Sequence, residues 1–411
     1  MTTCDGQNLS NLIINKKEEK KRMNKAKVFK RITAIILVML MTIGMVGCSS
    51  KSNTQGSSTS SGNTQKSNTQ NNSTSTSNPQ SGTTTGSTSE SKTAGPVTIV
   101  WYPNESATDY QPARDEFARI ITEATGRKVE HKLTTDYAIA IEALASGSAD
   151  ICFMGAAGYI EAKNKNPQVD TLFVNSGASG TLEDAIYYSW LAVNKGQESG
   201  YMDGGKYSIA NIQGKKMSFV SNSSTSGFKV PTTGILDFFG KTEQWKEINI
   251  DDLVEGGSKA FFSEVLFGGS HQGSAFNLLS GKSDVAAFCD TELAPYADFK
   301  EGTENKAGAV YITKEDASAP FDTVQGKEFV IIESVPVLNG PFAYNPDNLG
   351  EEDVKKIRDL FLSDEVAMNT QIFVDSASKD AGVIGMFKKT DKERFVLVED
   401  TWYNPIREMG N

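Results

Sequence analysis

Four hydroxyl residues stand in succession at Ser223-Ser224-Thr225-Ser226, followed by Gly227. They lie between an apolar run, Lys216-Met217-Ser218-Phe219-Val220, and an amphipathic one, Gly234 to Phe239. The pattern predicts a strand-to-helix turn. At such a turn, hydroxyls and free backbone N–H groups converge on the positive end of a helix dipole, a seat for a tetrahedral oxyanion such as phosphate. An N-cap in a polar loop accounts for these residue types about as well, although one cap needs fewer than four hydroxyls. A second small-residue turn, Gly268-Gly269-Ser270-His271-Gln272-Gly273-Ser274, carries one of the chain's two histidines. Two carboxylates, Asp290 and Glu292, follow the apolar run Val285 to Cys289.

Other chemistries fit less well. Gly281-Lys282-Ser283 lacks the first glycine of a P-loop, because Phe276 occupies that position. Gly268 to Gln272 misses the nucleophile elbow, since Gln272 replaces its last glycine. His131 and His271 do not have zinc-ligand spacing with each other, so neither a metal nor a cofactor is expected. A hydrolase built on Ser224 or Ser270 with a histidine has no further support in the sequence.

The elements that must hold these residues follow a β-α-β-α-β rhythm. Val97 to Tyr102 reads as a buried strand, Asp115 to Ala124 as a helix closed by Gly126, and Val129 to Leu133 as a strand. Tyr137 to Ala145 reads as a helix and Ile151 to Met154 as a short strand, which together imply an α/β fold with a mostly parallel sheet. Further on, the pattern gives strands at Trp190–Val193, 216–220, Val285–Cys289 and Phe329–Ser334. It gives helices at Leu236–Trp245, Ala275–Leu279 and Glu351–Leu362. Leu144-Ala145-Ser146-Gly147-Ser148-Ala149-Asp150-Ile151 is echoed by Leu278-Leu279-Ser280-Gly281-Lys282-Ser283-Asp284-Val285. The echo predicts two lobes of similar topology that share a helix-to-strand turn.

Ahead of this body, Lys25, Lys27, Lys30 and Arg31 precede an apolar run from Ile32 to Met45 that stops at Gly47-Cys48. This reads as a secretory signal ending in a lipobox-like site, with Cys48 as the lipidated residue. Residues 1–22 have no place in such a signal, and Met23 is the expected start. Residues 49–95 are Ser, Thr, Asn, Gln and Gly with almost no apolar side chains, and read as a hydrophilic tether. The expected organisation is therefore extension and signal (1–47), lipidated cysteine and tether (48–95), lobe one (96–192 with 334–411) and lobe two (193–333). The hinge strands are expected near Ala192 and Ser334.

The whole chain carries a formal charge of −10; nine Lys/Arg against three Asp/Glu precede Cys48, so the remainder is near −16. An acidic body argues against nucleic acid as a partner. It also means that an anion must be held by local hydrogen bonds and not by a global field. Cys152 and Cys289 sit in apolar runs and read as buried free thiols.

The set Ser223-Ser224-Thr225-Ser226-Gly227, Val230-Pro231, Gly269-Ser270-His271, Asp284-Val285-Ala286-Ala287 and Glu333-Ser334-Val335-Pro336 resembles the PhnD family. These are the substrate-binding proteins of phosphonate, phosphite and phosphate ABC importers. Asp150-Ile151 with Gly155 and Tyr159, and Tyr187-Tyr188-Ser189, fit the same pattern. The resemblance implies the type II periplasmic-binding-protein fold: two α/β lobes, two hinge crossings and a cleft between them. It implies a non-enzymatic, monomeric protein outside the cytoplasmic membrane, anchored there through Cys48 and delivering a phosphorus oxyanion to a permease. By position, it gives Ser224, Thr225, Ser226 and His271 to the oxyanion and Tyr137 and Tyr159 to the opposite wall. Asp290 and Glu292 fall near the positions that meet an ammonium in aminophosphonate binders. Trp101-Tyr102-Pro103 is bulkier than the family's usual first strand, which would favour a small ligand. A secreted phosphohydrolase and a sensing module for a membrane kinase are the alternative classes.

Overall fold

The computed structural model describes residues 95–375 and 385–409. The expected leader, Cys48 and nearly all of the tether lie outside the described residues. Among those described, no helix is long and apolar enough to cross a membrane.

The chain opens with β1 (Val97–Trp101), β2 (Val129–Leu133), β3 (Ile151–Phe153) and β4 (Asp170–Asn175), linked by α1 (Gln111–Thr125), α2 (Tyr137–Ala145) and α3 (Ala156–Lys165). It continues through β5 (Ile186–Asn194), a small hairpin of β6 (Met202–Asp203) and β7 (Lys206–Tyr207), and β8 (Lys216–Phe219). After α4 (Val230–Phe239) come β9 (Glu264–Phe267), α5 (His271–Leu279), β10 (Val285–Cys289) and α6 (Asp290–Leu293). Then follow β11 (Ala297–Glu301), β12 (Val310–Thr313), the long β13 (Glu328–Leu338) and β14 (Pro341–Tyr344). The chain ends with α7 (Glu351–Phe361), β15 (Phe373–Asp375), β16 (Phe387–Lys389), β17 (Phe395–Val396) and α8 (Asn404–Glu408).

Two sheets result, ordered β17-β4-β14-β3-β1-β2 and β11-β12-β13-β5-β10-β8-β9. In each, three parallel strands (β2-β1-β3 and β9-β8-β10) are bordered by an antiparallel one, β14 or β5. The repeated segment in the sequence has a matching place in both. Gly147 and Gly281 end their helices at φ 75° and 78°, in the left-handed region that glycine enters without penalty. Three residues later, Asp150 Oδ2 accepts the Thr98 amide at 2.6 Å and Asp284 Oδ2 accepts the Lys216 amide at 2.8 Å. Each aspartate thereby ties the start of one parallel strand to its neighbour.

The mostly parallel sheet expected from the sequence is not found: both sheets are mixed, with antiparallel pairings outnumbering the two parallel ones in each. Both are nonetheless covered on both faces. Ile99 and Trp101 belong to one apolar cluster of the first lobe and Val100 and Tyr102 to the other. Leu191 and Val193 face one cluster of the second lobe, Trp190 and Ala192 the other. Cys152 and Cys289 are buried free thiols. The C-terminal β17 and α8 pack on the first lobe.

Several boundaries differ from the sequence expectation: the helices expected at Asp115–Ala124 and Ala275–Leu279 begin at Gln111 and His271, and the strands expected at Trp190–Val193 and Phe329–Ser334 extend over Ile186–Asn194 and Glu328–Leu338. The helix expected at Leu236–Trp245 is Val230–Phe239. The hydroxyl loop coils at Thr225–Lys229 directly into this helix, Pro231 suits its first turn, and Gly240 closes it on Leu236 O. The passages between the sheets fall at residues 176–185 and 339–340. β5 and β13 stay paired from Asn194↔Phe329 to Ile186↔Leu338, so Ala192 and Ser334 both lie inside this pair.

Candidate functional site

In open α/β sheets, ligand crevices form outside the carboxyl ends of the parallel strands. Here those ends face each other across the lobes. β1 delivers Tyr102, Asn104 and Glu105, and β3 delivers Gly155 and the start of α3. β8 delivers the hydroxyl loop, β9 the turn to His271, and β10 delivers Asp290 and Glu292.

The loop is held from within. Ser224 Oγ caps the Thr225–Lys229 coil by accepting the Gly227 amide at 3.1 Å. Val220 N donates to Gly227 O, and Ser189 Oγ donates to Ser226 O at 2.6 Å. Thr225 reaches the other lobe, where its Oγ1 accepts the Ala157 amide in the first turn of α3 at 2.9 Å. The approach needs Gly155, since a Cβ there would lie 2.7 Å from Thr225 Oγ1. Ser223 Oγ donates to Glu161 Oε2 of α3 at 2.8 Å. Ser226 Oγ is buried without a well-aligned hydrogen bond of its own. The nearby Tyr187 phenol is pushed up by burial, an effect eased by the Ser226 and Thr225 hydroxyls.

His271 opens α5, whose N-cap Ser270 accepts the Gly273 amide at 3.0 Å. Its Nδ1 accepts the Cys289 amide at 3.1 Å, and burial pushes the imidazole down to about 3. The ring is therefore neutral, with its proton on Nε2 as a donor. Its backbone amide donates to Asn104 Oδ1 across the cleft at 3.0 Å, and Asn104 Nδ2 donates to Tyr137 Oη at 2.8 Å. Tyr137 lies 4.1 Å from Tyr102, ring centre to ring centre. The Tyr102 hydroxyl is buried without a partner, in space that a side chain at Gly158 would fill.

The structure brings Ser224, Thr225, Ser226, His271 and Tyr137 to one region, but it separates the other expected residues by role. Tyr159 faces away: its hydroxyl donates to Asp400 Oδ1 at 2.8 Å and its ring packs on Tyr403. The Asp290 carboxylate is committed to backbone, accepting the Tyr188 amide at 2.8 Å, and burial pushes it up to about 7. Glu292 does reach the cleft. Its Oε2 accepts from Tyr110 Oη of the other lobe at 3.2 Å and from Gln272 Nε2 at 3.3 Å, and burial pushes it up to about 7. Sequence reasoning passed over Asn104, Glu105, Tyr110 and Gln272. The one signal available was position, since Asn104 and Glu105 directly follow the first parallel strand. The second histidine, His131, accepts the Trp101 indole N–H at 3.0 Å within the first lobe. Among the described residues, no group of three or more His, Cys, Asp or Glu could hold a metal ion.

Two α/β lobes joined by two passages, with uncharged donors gathered between them, define a binding protein of the type II periplasmic class. The chain belongs to the family described as the periplasmic substrate-binding protein of phosphonate ABC transporters, whose model matches residues 99–403. It is the binding component of an importer and not an enzyme. It is 25% identical over 271 residues to the phosphate-import protein PhnD of Mycolicibacterium smegmatis, covering 65% of this chain and 71% of that one. Its fold is similar to a binding protein component of an ABC phosphonate transporter from Pseudomonas aeruginosa (TM-score 0.52, 20% identity, 77% of this chain and 85% of that one). It is also similar to PhnD1 of Prochlorococcus marinus in complex with methylphosphonate (TM-score 0.52, 17% identity, 76% and 96%).

The His271 environment has a direct spectroscopic consequence. The unfolded chain binds the imidazole proton near the ordinary histidine value of about 6.5, whereas the folded cleft refuses it until about pH 3. His271 therefore withdraws stability as pH falls through that window. Asp290 and Glu292, raised to about 7, withdraw theirs as pH rises. Long-range nitrogen–proton NMR should show His271 neutral with its proton on Nε2 at every pH from about 5 upward. An imidazolium signal for His271 at the acidic end of that range would contradict the site as described.

Proposed function

We propose that Ser224, Thr225, Ser226 and His271 hold the oxygens of a phosphorus oxyanion, with Tyr137 and Tyr102 forming the opposite wall. The observation that carries this reading is the Ser226 hydroxyl, buried beside the Tyr187 phenol at the start of a helical turn and without a well-aligned hydrogen bond of its own. A buried hydroxyl without a well-aligned partner costs free energy, and an oxyanion at the dipole's positive end removes that cost. His271 Nε2–H adds a donor that stays uncharged. Neutral donors suit a carrier, which must desolvate its cargo and then release it. Two relatives support the ligand class: one is named for phosphate import and the other holds methylphosphonate. We favour a small phosphonate, because Glu292 and the tyrosine wall meet the fourth substituent of the phosphorus. Asp290 has no part in that contact in this reading.

The lobes close by bending at residues 176–185 and 339–340. Cys48 carries a lipid that holds the monomeric protein on the outer face of the cytoplasmic membrane, supported by the basic run, the apolar run and the small residue that precede it.

Calorimetric titration with phosphate, phosphite, methylphosphonate and 2-aminoethylphosphonate tests the ligand. At least one phosphonate should bind one-to-one and more tightly than phosphate, with a smaller radius of gyration in solution scattering at saturation. Ser226→Ala should weaken every ligand of the set by about tenfold or more, the loss of one hydrogen bond to a charged group. Unchanged affinities in that variant would remove Ser226 from the oxyanion site. For the anchor, Cys48→Ser should shift the protein from the membrane fraction to the soluble one. Membrane association and mobility identical to the parent protein would end the lipoprotein assignment.

A further inference from the structure

Two buried acceptors at the edge of the cleft have no donor. Glu105, just past β1, is 3% exposed, and nothing donates to its Oε2. Gln272 of α5 is 5% exposed; its Nε2 serves Glu292, but its Oε1 is unpaired. Glu292 lies between them and comes from the opposite lobe to Glu105. The residues around Glu105 fix this meeting, because Asn104 binds His271 and Tyr110 binds Glu292 across the same gap. The two carboxyls lie close enough to perturb each other, while the Asn104 side chain and the Glu105 amide favour the charged form of Glu105. Two facing carboxylates out of water cannot both stay ionised.

We infer that Glu105 and Glu292 form a cross-cleft carboxyl pair that permits closure only when one positive charge lies between them, supplied by a shared proton or by a cationic group on the ligand. Glu105 is then a specificity residue that makes ligand charge and proton uptake interchangeable. This rests on the oxyanion reading of the same cleft.

Arg114 places one positive charge on the Glu105 side without pairing to either carboxylate. It donates instead to the backbone carbonyls of Glu105 and Ala107. The phenols of Tyr102, Tyr110, Tyr137 and Tyr296 and the thiols of Cys152 and Cys289 are pushed up by burial and remain neutral. His271 is neutral as well, and Asp290 adds only negative charge to the Glu292 side. Burial raises Glu105 well above the ordinary carboxylate range and Glu292 to about 7.

When the lobes part, water reaches both groups and they titrate near the ordinary value of about 4.3. Closing around a ligand without a cation then takes up about one proton at near-neutral pH. The apparent affinity falls by up to about tenfold per pH unit as pH rises through the window between open and closed values. A ligand ammonium takes the proton's place, so its closure draws no proton from solution.

The test is calorimetry in buffers of different ionisation enthalpy, which counts protons taken up on binding. Each ligand is compared between the parent protein and Glu105→Gln, so that the ligand's own titration cancels. For methylphosphonate the count should drop by about one proton in Glu105→Gln, and for 2-aminoethylphosphonate it should hardly change. Glu292→Gln, on the other lobe, should reproduce the pattern and stands in if the first variant does not fold. Binding of both ligands with equal changes, or with no change for methylphosphonate, overturns the inference and leaves the oxyanion site intact. Failure of either ligand to bind the parent protein at any pH overturns the oxyanion reading and this inference with it.

Discussion

An oxyanion taken out of water must meet hydrogen-bond donors on every side, and no single lobe here provides them. That constraint organises the rest of the molecule. In the proposed site the hydroxyl loop and His271 offer donors from one lobe, and the first turn of α3 and the Asn104–Tyr137 pair close the other side. In the absence of a cationic side chain among these donors, the attraction comes from oriented hydroxyls, amides and a neutral imidazole. Such groups give strength only when they are held in place beforehand. Ser224 capping its own coil, Ser270 capping α5 and the Cys289 amide fixing His271 Nδ1 perform that holding. Under this proposal an acidic protein retains an anion without a basic surface.

The proposed closure would be reversible. The lobes meet through scattered hydrogen bonds: Thr225 to the Ala157 amide, Ser223 to Glu161, Asn104 to the His271 amide, Tyr110 to Glu292 and Ser318 to Asp109. Each contributes on the order of 1 kcal/mol net, because water replaces it on opening. Rigidity resides within the lobes, in sheets buried on both faces and in aromatic clusters such as that around Phe342, whose ring centre lies 4.8 Å from that of Phe117 and 4.7 Å from that of Phe153. Stiff lobes joined by a weak seam are what a ligand needs in order to shift the equilibrium by its own contacts.

Local features were legible in the sequence. The helix Tyr137–Ala145 and the strands Val129–Leu133 and Val285–Cys289 lie where periodicity put them, because each is governed by neighbours in the chain. The echo around Asp150 and Asp284 proved to be one hydrogen-bonded turn used twice. What could not be read were contacts between residues far apart in sequence. Asn104 and His271 are separated by 167 positions, and Tyr110 and Glu292 by 182. Nothing local marks either pair. Tyr159 and Asp290 mislead for the same reason, since residue type suggests a ligand role while the tertiary partners, Asp400 and the Tyr188 amide, already occupy them. The helix after the hydroxyl loop began earlier than its apolar pattern suggested, because the preceding coil nucleates it.

In the proposed site the Ser226 hydroxyl and the His271 Nε2–H are donors to a phosphorus oxyanion between the lobes. A crystal structure of the protein with methylphosphonate tests it most directly. The account places two phosphonate oxygens at hydrogen-bond distance, about 3 Å, from Ser226 Oγ and His271 Nε2, with the methyl group toward Tyr102 and Tyr137. A phosphonate bound elsewhere, or bound in the cleft with both of those atoms still unpaired, would contradict it.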